Sequence, residues 1–532
     1  MKVCMMSKFT ETVEKIFRFQ SYKKPDEQIL ENISTKVAEE DKNGSWKDED
    51  GVIYSVEGKK LLKCNNNYLT SYVVRQGMRV ICDNAFSWCK FLQSVSIPDT
   101  VTRIGDWTFR NCSSLRSVSI PDSVTSIGDN AFGDCSSLKS IMLPDSVTSI
   151  GHCAFIDCIS LQSVTIPDTV TTIGFWTFKN CLSLQSVTIG NYVTKIGYGA
   201  FSGCSFLQSV TLPDSVTCID DRAFEGCSSL QSVAIGNSVT RIGYRAFSGC
   251  SSLRSVIIPD SVTCIGDGAF EGCISLRSVT IGNSVTSIGF GAFNYCTSLQ
   301  SVIIPNSVTS IKGNPFCYCH TGISNYSKHF AIFEGNIYTS DKSRLISFLS
   351  DVKNFIIPDF VTSIGDSAFD SCSSLQSVTI PDSVTIIANK AFYKCSSLQS
   401  VIIPDSVTGI GESAFGGCKS LKSVSIGNSV TTIGDKAFFC CTSLRTVTIP
   451  DSVIMIKKRS FSKCKSLQSV TIPDSVTSIG DRVFEGCLSL QSVTIPDSVT
   501  KIGKKVFRGC SSELSFNILQ KAYERLKISL DR

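Results

Sequence analysis

Histidine is nearly absent from this chain, with 3 residues in 532. Histidine is the side chain that most often transfers protons in enzymes, so its scarcity leaves few candidates for a general base. The phosphate-binding pattern G-x-x-x-x-G-K-[ST] and the nucleophile pattern G-x-S-x-G are missing from the sequence as well. We therefore predict that the protein is not an enzyme and that it uses no cofactor.

Long apolar runs are also missing. No stretch of about 18 apolar residues occurs, so the sequence predicts no transmembrane segment. The N-terminal stretch carries Glu11, Glu14, Lys15 and Arg18 where a secretion signal would be apolar. The C-terminal residues contain no lipidation motif. These absences favour a cytoplasmic location.

The sequence contains no block of basic residues. Lys and Arg total 51, Asp and Glu total 46, and the formal net charge is +5, which is small for this length. We therefore expect no nucleic-acid partner. Hydrophobic residues make up 42% of the chain and charged residues 18%, a composition that is typical of a folded protein rather than a disordered one.

An internal repeat of 23 residues dominates the sequence. It reads SVSIPDSVTSIGDNAFGDCSSLK from Ser117 to Lys139. One recurrent Phe marks each of eighteen repeats, eleven before an insertion and seven after it. These residues are Phe86, Phe109, Phe132, Phe155, Phe178, Phe201, Phe224, Phe247, Phe270, Phe293, Phe316, Phe369, Phe392, Phe415, Phe438, Phe461, Phe484 and Phe507.

Each repeat contains the signals of one short strand followed by turns. Val118 lies between Ser117 and Ser119 in a period-two pattern, and the Pro-Asp or Gly-Asn pair after the strand is typical of a turn. One repeat cannot bury its Val, Ile, Ala and Phe side chains by itself, whereas stacked repeats can. We predict a repeat solenoid, with a parallel β-sheet on one face and irregular or turn segments on the other.

The pattern resembles the BspA-like class of leucine-rich repeats over roughly residues 80–510. The 23-residue period, S-V-T-x-I-G and A-F-x-x-C carry the resemblance together. The usual ladder Asn is missing after Ile120, and Cys112 is the better candidate for a buried polar ladder. The resemblance implies a leucine-rich-repeat arc in a surface antigen used for cell adhesion. That implied cell-surface or secreted location conflicts with the missing secretion signal, and both locations stay open.

Two segments with hairpin patterns organise the chain into cassettes. GVIYSVEGKKLLKC at 51–64 and GNIYTSDKSRLISF at 335–348 each precede a repeat array. The insertion is interpreted as a second cassette start, the alternative being a decorative hairpin on one continuous solenoid. The predicted segments are a polar, partly helical N-terminal cap at 1–50, a β-hairpin segment at 51–80, leucine-rich-repeat array 1 at 81–320, a hairpin insertion at 321–358, array 2 at 359–511 and a helical C-terminal cap at 512–532.

Cysteine is abundant, with 26 residues, of which eighteen follow the recurrent Phe by three positions. Stacking places these eighteen in one column. We interpret them as buried free thiols, small side chains that donate weakly to backbone carbonyls. Disulfides between neighbouring repeats are the alternative, because adjacent Cα atoms would lie near 5 Å, within disulfide range.

Two groups of residues are weak candidates for metal sites. Cys317, Cys319, His320 and His329 lie near the junction, but their spacing matches no common zinc module. The Asp residues after the strand prolines, such as Asp122, could attract calcium, although Asx turns explain them equally well. We expect no bound metal.

The exposed face of the predicted strands is the candidate binding face. It is mostly Gln, Ser and Thr, a surface that suits a protein or glycan partner through many weak contacts. Basic and apolar residues interrupt it, and we select six of them as candidate binding residues: Arg116, Lys139, Arg254, Ile257, Arg277 and Ile303. The alternative is a merely solvated sheet face produced by repeat duplication.

Three classes of function remain on the sequence alone. The first is a non-enzymatic adhesion or recognition module, and the second is an intracellular scaffold or regulator that binds a protein partner. The third is a solenoid enzyme that cleaves polysaccharides, which would need a local cluster of Asp, Lys or Arg on the strand face. The sequence shows no such cluster and does not specify an oligomeric state.

Overall fold

The computed structural model describes residues 33–319, 322–511 and 515–518. Over these residues the chain winds into a β-solenoid of about 19 turns, and each repeat forms one turn, called a rung below. A typical rung has a front strand, a shorter side strand and a back segment that contains the recurrent Phe, and at Ser140 and Met142 isolated bridges replace the front strand. The predicted parallel sheet is confirmed. The side strands form a second parallel ladder, where the sequence predicts turns only.

The front strands pair in parallel with their equivalents one repeat away, as in Ser163 with Ser186 and Val164 with Val187. They are Ser71–Val73, Ser94–Ser96, Ser117–Ser119, Ser163–Thr165, Ser186–Thr188, Ser209–Thr211, Ser232–Ala234, Ser255–Ile257, Ser278–Thr280, Ser301–Ile304, Gly322–Asn325, Asn354–Ile356, Ser377–Thr379, Ser400–Ile402, Ser423–Ser425, Thr446–Thr448, Ser469–Thr471, Ser492–Ile495 and Ser515–Ile518.

The side strands also pair in parallel. They are Val80–Ile81, Arg103–Ile104, Ser126–Ile127, Ser149–Ile150, Thr172–Ile173, Lys195–Ile196, Cys218–Ile219, Arg241–Ile242, Cys264–Ile265, Ser287–Ile288, Ser310–Ile311, Ser363–Ile364, Ile386–Ile387, Gly409–Ile410, Thr432–Ile433, Met455–Ile456, Ser478–Ile479 and Lys501–Ile502. The remaining described elements are the helix Glu39–Lys42 and the strands Trp46–Lys47, Val52–Tyr54, Lys60–Cys64, Phe330–Phe333, Asn336–Thr339 and Arg344–Ser347.

The alternation predicted for the front strands is present. Val118 is buried between exposed Ser117 and Ser119, because successive side chains of a strand point to opposite faces. In the side strands the second residue turns inward, as Ile127 does. The core therefore runs along the solenoid axis and receives apolar side chains from all three sides of each rung.

The recurrent Phe residues form one stack of rings inside each array. The ring of Phe247 lies 5.2 Å from that of Phe224 and 5.3 Å from that of Phe270, and all three rings are nearly parallel. Phe247 is fully buried. Each ring therefore contacts the rungs on both sides, so a single Phe contributes to two interfaces between repeats.

The variant Phe247→Ala should lower the free energy of unfolding by roughly 3–5 kcal/mol, through lost burial and the cavity left in the stack. Urea unfolding followed by circular dichroism measures this change. Ser248→Ala, on the neighbouring back-segment position, is the control and should change the value by less than about 0.5 kcal/mol. A loss for Phe247→Ala as small as the control's would show that the ring does not stabilise the core.

The back segment is hydrogen-bonded along the axis although it contains no strand. The amides of Arg245, Phe247 and Gly249 donate to carbonyls of the next rung, at 3.0, 2.7 and 2.7 Å. The residues two before and two after the Phe adopt left-handed backbone conformations, as Arg245 does with φ of 52°. These left-handed conformations turn every second amide toward the neighbouring rung, so the backbone forms its hydrogen bonds without a regular strand.

The glycine of the T-x-I-G motif is required by close approach of the neighbouring rung. A Cβ added at Gly128 would lie 2.5 Å from the carbonyl carbon of Gly105 and 2.6 Å from the amide nitrogen of Asp106. A side chain at this position would therefore separate the rungs, which explains why Gly recurs after the side strand.

Both predicted hairpins are present, and both lead into the side ladder. Val52–Tyr54 pairs with Lys60–Cys64, which then pairs with Val80–Ile81. At the insertion, Asn336–Thr339 pairs with Arg344–Ser347, which then pairs with Ser363–Ile364. Each hairpin gains a third antiparallel strand, Trp46–Lys47 in the first case and Phe330–Phe333 in the second.

The structure bears on each predicted cap in a different way. Residues 1–32 lie outside the described residues. The following segment contains the four-residue helix Glu39–Lys42, and Ile33 and Val37 pack against Leu62, Val80 and Cys82.

The helical prediction for 512–532 is wrong at Ser515–Ile518, which forms a strand paired with Ser492–Ile495. The sequence S-F-N-I repeats the S-V-T-I pattern 23 residues earlier. The apolar residues of the segment are spaced as in a helix, but pairing with the open sheet edge stabilises a strand instead. The rest of that segment lies outside the described residues.

Polar contacts join the two arrays at the insertion. Asn314 is fully buried, its Nδ2 donates to the Phe348 carbonyl at 2.7 Å, and its Oδ1 accepts from Ser347 Oγ at 2.6 Å. Cys317 Sγ donates to the Asp370 carbonyl at 3.2 Å. The front and side ladders themselves are interrupted here and restart after the hairpin. Back-segment residues therefore provide much of the connection between the arrays.

Asn314→Ala should lower the free energy of unfolding by about 1–3 kcal/mol, because it leaves the buried Ser347 hydroxyl and Phe348 carbonyl without their partner. The unfolding curve should also separate into two transitions as the two arrays lose cooperativity. Urea titration at several wavelengths tests both effects, with the exposed Asn237→Ala as control. A single transition at the wild-type midpoint would mean that Asn314 does not couple the arrays.

Candidate functional site

The strand face is the row of exposed side chains on the front strands, together with the residue that precedes each strand. In rung after rung it presents Gln, Ser and Thr, as in Gln185, Ser186 and Thr188. Ser186–Thr188 is paired in parallel on both sides and Ser255–Ile257 is paired with Ser278–Thr280, so this face is a rigid sheet surface. Such a surface can bind a partner without first ordering its own backbone.

Four of the six selected residues form one patch. Arg254 precedes the front strand Ser255–Ile257, which ends at Ile257. The Arg277 amide donates to the Arg254 carbonyl at 2.8 Å, so the two arginines lie on adjacent rungs. Ile303 lies one rung beyond Thr280, the pairing partner of Ile257. Ile257 is 68% exposed and Ile303 is 48% exposed. We call these four residues the Arg254 patch.

The other two selected residues form a separate pair. The Lys139 amide donates to the Arg116 carbonyl at 3.4 Å, so the two basic side chains lie on adjacent rungs. Met142 lies three residues beyond Lys139 on the same face and is 82% exposed. Lys139 and Arg254 are five rungs apart, about 24 Å at the usual strand spacing. The six residues are therefore two patches rather than one site.

Sequence reasoning missed two exposed apolar residues of the strand face. Val73 and Ile356 occupy the same column as Ile257 and are 73% and 71% exposed. Both lie in the first front strand of an array, directly after a hairpin. The signal was available, because N-F-I-I-P-D at residues 354–359 matches the S-V-T-I-P-D of an ordinary repeat.

The cysteine column is a ladder of thiol donors, as predicted for Cys112. Cys112 Sγ donates to the Phe86 carbonyl at 3.1 Å, and Cys250 Sγ donates to the Phe224 carbonyl at 3.3 Å. The 25 described cysteines are unpaired. Burial raises the pKa of Cys112 to about 12. A protonated thiol is both the hydrogen-bond donor here and a poor nucleophile, so the column serves structure rather than chemistry.

A thiol reagent such as DTNB should react with few cysteines of the folded protein and with most of the 26 after denaturation. The half-buried residues Cys218, Cys264, Cys440 and Cys510 should account for the native signal. Counting the released chromophore before and after adding guanidinium checks this result. A denatured value near zero would instead show that the column is oxidised.

The described part of the chain shows no group of three or more His, Cys, Asp or Glu residues arranged to hold a metal ion. Cys317 and Cys319 donate to the carbonyls of Asp370 and Phe293, and the His329 amide donates to Ser327 Oγ. His320 lies outside the described residues. The thiols that sequence spacing suggested as ligands are therefore engaged in hydrogen bonds to the backbone.

Several Asp residues after the strand prolines also bond to the backbone. Asp168 Oδ1 accepts the Asn191 amide at 2.6 Å, and Asp260 Oδ1 accepts the Asn283 amide at 2.6 Å. Each bond joins one rung to the next where a Gly-Asn turn follows a Pro-Asp turn. These bonds stabilise the stacking of turns on neighbouring rungs, and they differ from Asx turns, in which the side chain bonds to the backbone of its own turn.

No helix in the described ranges is long and apolar enough to span a bilayer. A search of curated proteins found no significant match. Among solved structures, the chain is similar to a leucine-rich repeat protein from Bacteroides ovatus, at 27% identity over 89% of this chain and 97% of that one, with a TM-score of 0.45. It is also similar to a leucine rich cell surface protein from Faecalibacterium prausnitzii, at 25% identity over 91% and 95%, with a TM-score of 0.33.

A family comparison covers nearly the whole repeat region. The BspA type leucine rich repeat region matches over residues 63–183, 125–251, 217–344, 347–466 and 431–526. These ranges include both arrays and the insertion between them, and the 23-residue rungs with their Phe and Cys columns account for the match. The chain therefore belongs to the family of BspA type leucine-rich-repeat proteins.

Proposed function

We propose that this protein is a non-enzymatic binding module that recognises a protein or glycan partner through its strand face, in an adhesion role at a cell surface. The observation that carries the proposal is the Arg254 patch. Exposed isoleucine side chains and two guanidinium groups lie there on adjacent, rigidly paired strands. Family membership supports the adhesion role.

The composition of the Arg254 patch fits a binding hot spot. Arginine is enriched in hot spots because its fork donates several hydrogen bonds, and an apolar neighbour excludes water around it. Elsewhere most of the strand face offers short hydroxyl and amide side chains. A partner that contacts several rungs gains affinity from many such weak contacts, with the Arg254 patch as the anchor.

The triple variant Arg254→Ser, Ile257→Ser and Arg277→Ser should weaken binding to the partner by at least about tenfold, the effect of losing one hot spot. The partner is first selected from a panel of immobilised extracellular-matrix proteins and glycans, and affinity is then measured by biolayer interferometry. The matched control changes the same columns in a uniform region: Gln185→Ser, Thr188→Ser and Gln208→Ser. Equal affinity of the two variants, with unchanged circular dichroism, would show that the Arg254 patch does not bind the partner.

The second candidate function is an intracellular scaffold that binds a protein partner through the same face. The unpaired state of the 25 described cysteines favours it, because thiols stay reduced in the cytosol. Protease treatment of intact source cells, followed by blotting, separates the two candidates. Loss of the band with a cytoplasmic marker intact supports adhesion, whereas survival of the band until lysis supports the scaffold.

A further inference from the structure

The back face of the second array carries a dense set of basic side chains that the linear sequence disperses. They lie in the last six rungs at the two left-handed positions, at the residue before each of these, and at the residue after the Cys. We call this surface the lysine face. Its basic residues are Lys390, Lys394, Lys419, Lys436, Lys458, Arg459, Lys463, Lys465, Arg482, Lys504, Lys505 and Arg508. Its acidic residues are Glu412, Asp435, Asp481 and Glu485.

The equivalent positions in the first ten rungs have the opposite balance. The basic residues there are Lys90, Arg110, Lys179, Arg222 and Arg245. The acidic residues are Asp83, Asp106, Asp129, Asp134, Asp157, Asp221, Glu225, Asp267 and Glu271. Stacking by itself does not favour basic over acidic residues in these columns. The excess of twelve cations over four anions is therefore specific to the last six rungs.

Most cations of the lysine face are free of ion pairs within the described residues. Lys436 lies 3.6 Å from Glu412, while Arg459 and Arg508 lie 3.9 and 4.0 Å from Glu485. The other nine basic side chains form no ion pair in that part of the chain. Their like charges repel one another, and a bound polyanion would relieve that repulsion.

Three lysines lie around Cys440 on this face. The Cys440 amide donates to the Ser462 carbonyl at 2.9 Å, and Ser462 directly precedes Lys463. Burial raises the pKa of the Cys440 thiol, and Lys463, Lys419 and Lys465 oppose that shift. Lys419 comes from one rung, whereas Lys463 and Lys465 come from another rung two further along, and all three side chains are exposed. Adjacent rungs are separated by about 4.8 Å, so ammonium groups recur at short intervals along the solenoid axis. A linear polymer with a negative charge in each unit would meet a cation at each step.

We propose that the lysine face binds a linear sulfated polysaccharide. This surface is formed by the back segments and not by the front strands, so the inference does not depend on the function proposed above. Lysine supplies strong point charges without a preferred geometry, which suits sulfate groups on a flexible glycan. Nine of the twelve cations are lysines, and two of the three arginines face Glu485.

The aromatic side chains of this region argue against single-stranded nucleic acid. Such ligands stack their bases on open aromatic rings. Here Lys394 Nζ lies 5.2 Å from the ring centroid of Tyr393, and Lys463 Nζ lies 5.4 Å from that of Phe439. The cations therefore occupy ring faces on which a base would stack, so charge rather than stacking dominates the surface.

The test uses the full chain with heparin as the sulfated probe, and the triple variant Lys419→Gln, Lys463→Gln and Lys465→Gln. We expect heparin affinity to fall at least about tenfold, and the slope of log K against log salt to become shallower by about 2, because fewer counterions are released. The matched control is Lys63→Gln, Lys353→Gln and Lys422→Gln, three lysines exposed on other faces. Its affinity should stay within about twofold of wild type.

Further measurements test which class of ligand binds and whether the variants are folded. Replacing Lys419, Lys463 and Lys465 by Arg should preserve heparin binding, and circular dichroism should show all variants folded. Desulfated heparin should bind weakly. Tighter binding to a single-stranded oligonucleotide of equal charge, or to anionic vesicles, would overturn the proposal. Equal heparin affinity of the Gln variant and the control would overturn it as well. Neither result affects the Arg254 patch, which the Gln substitutions leave intact.

Discussion

Contact between successive rungs is the interaction on which the rest of this structure depends. A single repeat leaves its Phe, Val and Ile side chains half covered, and its back-segment amides find their acceptors only in the next rung. Phe247 therefore packs against Phe224 on one side and Phe270 on the other. Stability arises from interfaces between neighbours, and it accumulates along the axis instead of around one central core.

The same contact selects the small and unusual residues of the repeat. Gly128 is needed because the backbone of the preceding rung lies within 2.6 Å of where its Cβ would be. Cys112 is needed because a small thiol fits the column and donates to the Phe86 carbonyl. These positions cannot vary freely, whereas outward positions can. Binding properties therefore concentrate in the few outward columns, on the strand face and on the back face.

Rigid stacking also turns a sequence without charged blocks into a molecule with charged surfaces. Lys419 and Lys465 are 46 residues apart in the chain, yet they lie two rungs apart in one column. Carboxylates such as Asp405 occupy a different column, after the front strand. The small net charge of +5 thus conceals a separation of positive and negative side chains between faces. An extended partner would respond to these faces and not to the net charge.

The sequence by itself determined the solenoid, the inward residues, both hairpins and the thiol ladder, because a strict 23-residue period requires every rung to repeat one set of contacts. It also placed Arg254, Ile257 and Arg277 on one face, since the repeat pattern specifies which side chains point outward. Only the tertiary structure decided three other features: the side ladder, the strand at Ser515–Ile518 and the lysine face. Each of these depends on a sheet edge or a column of side chains that residues distant in sequence form together. Local periodicity does not specify the contacts between such residues.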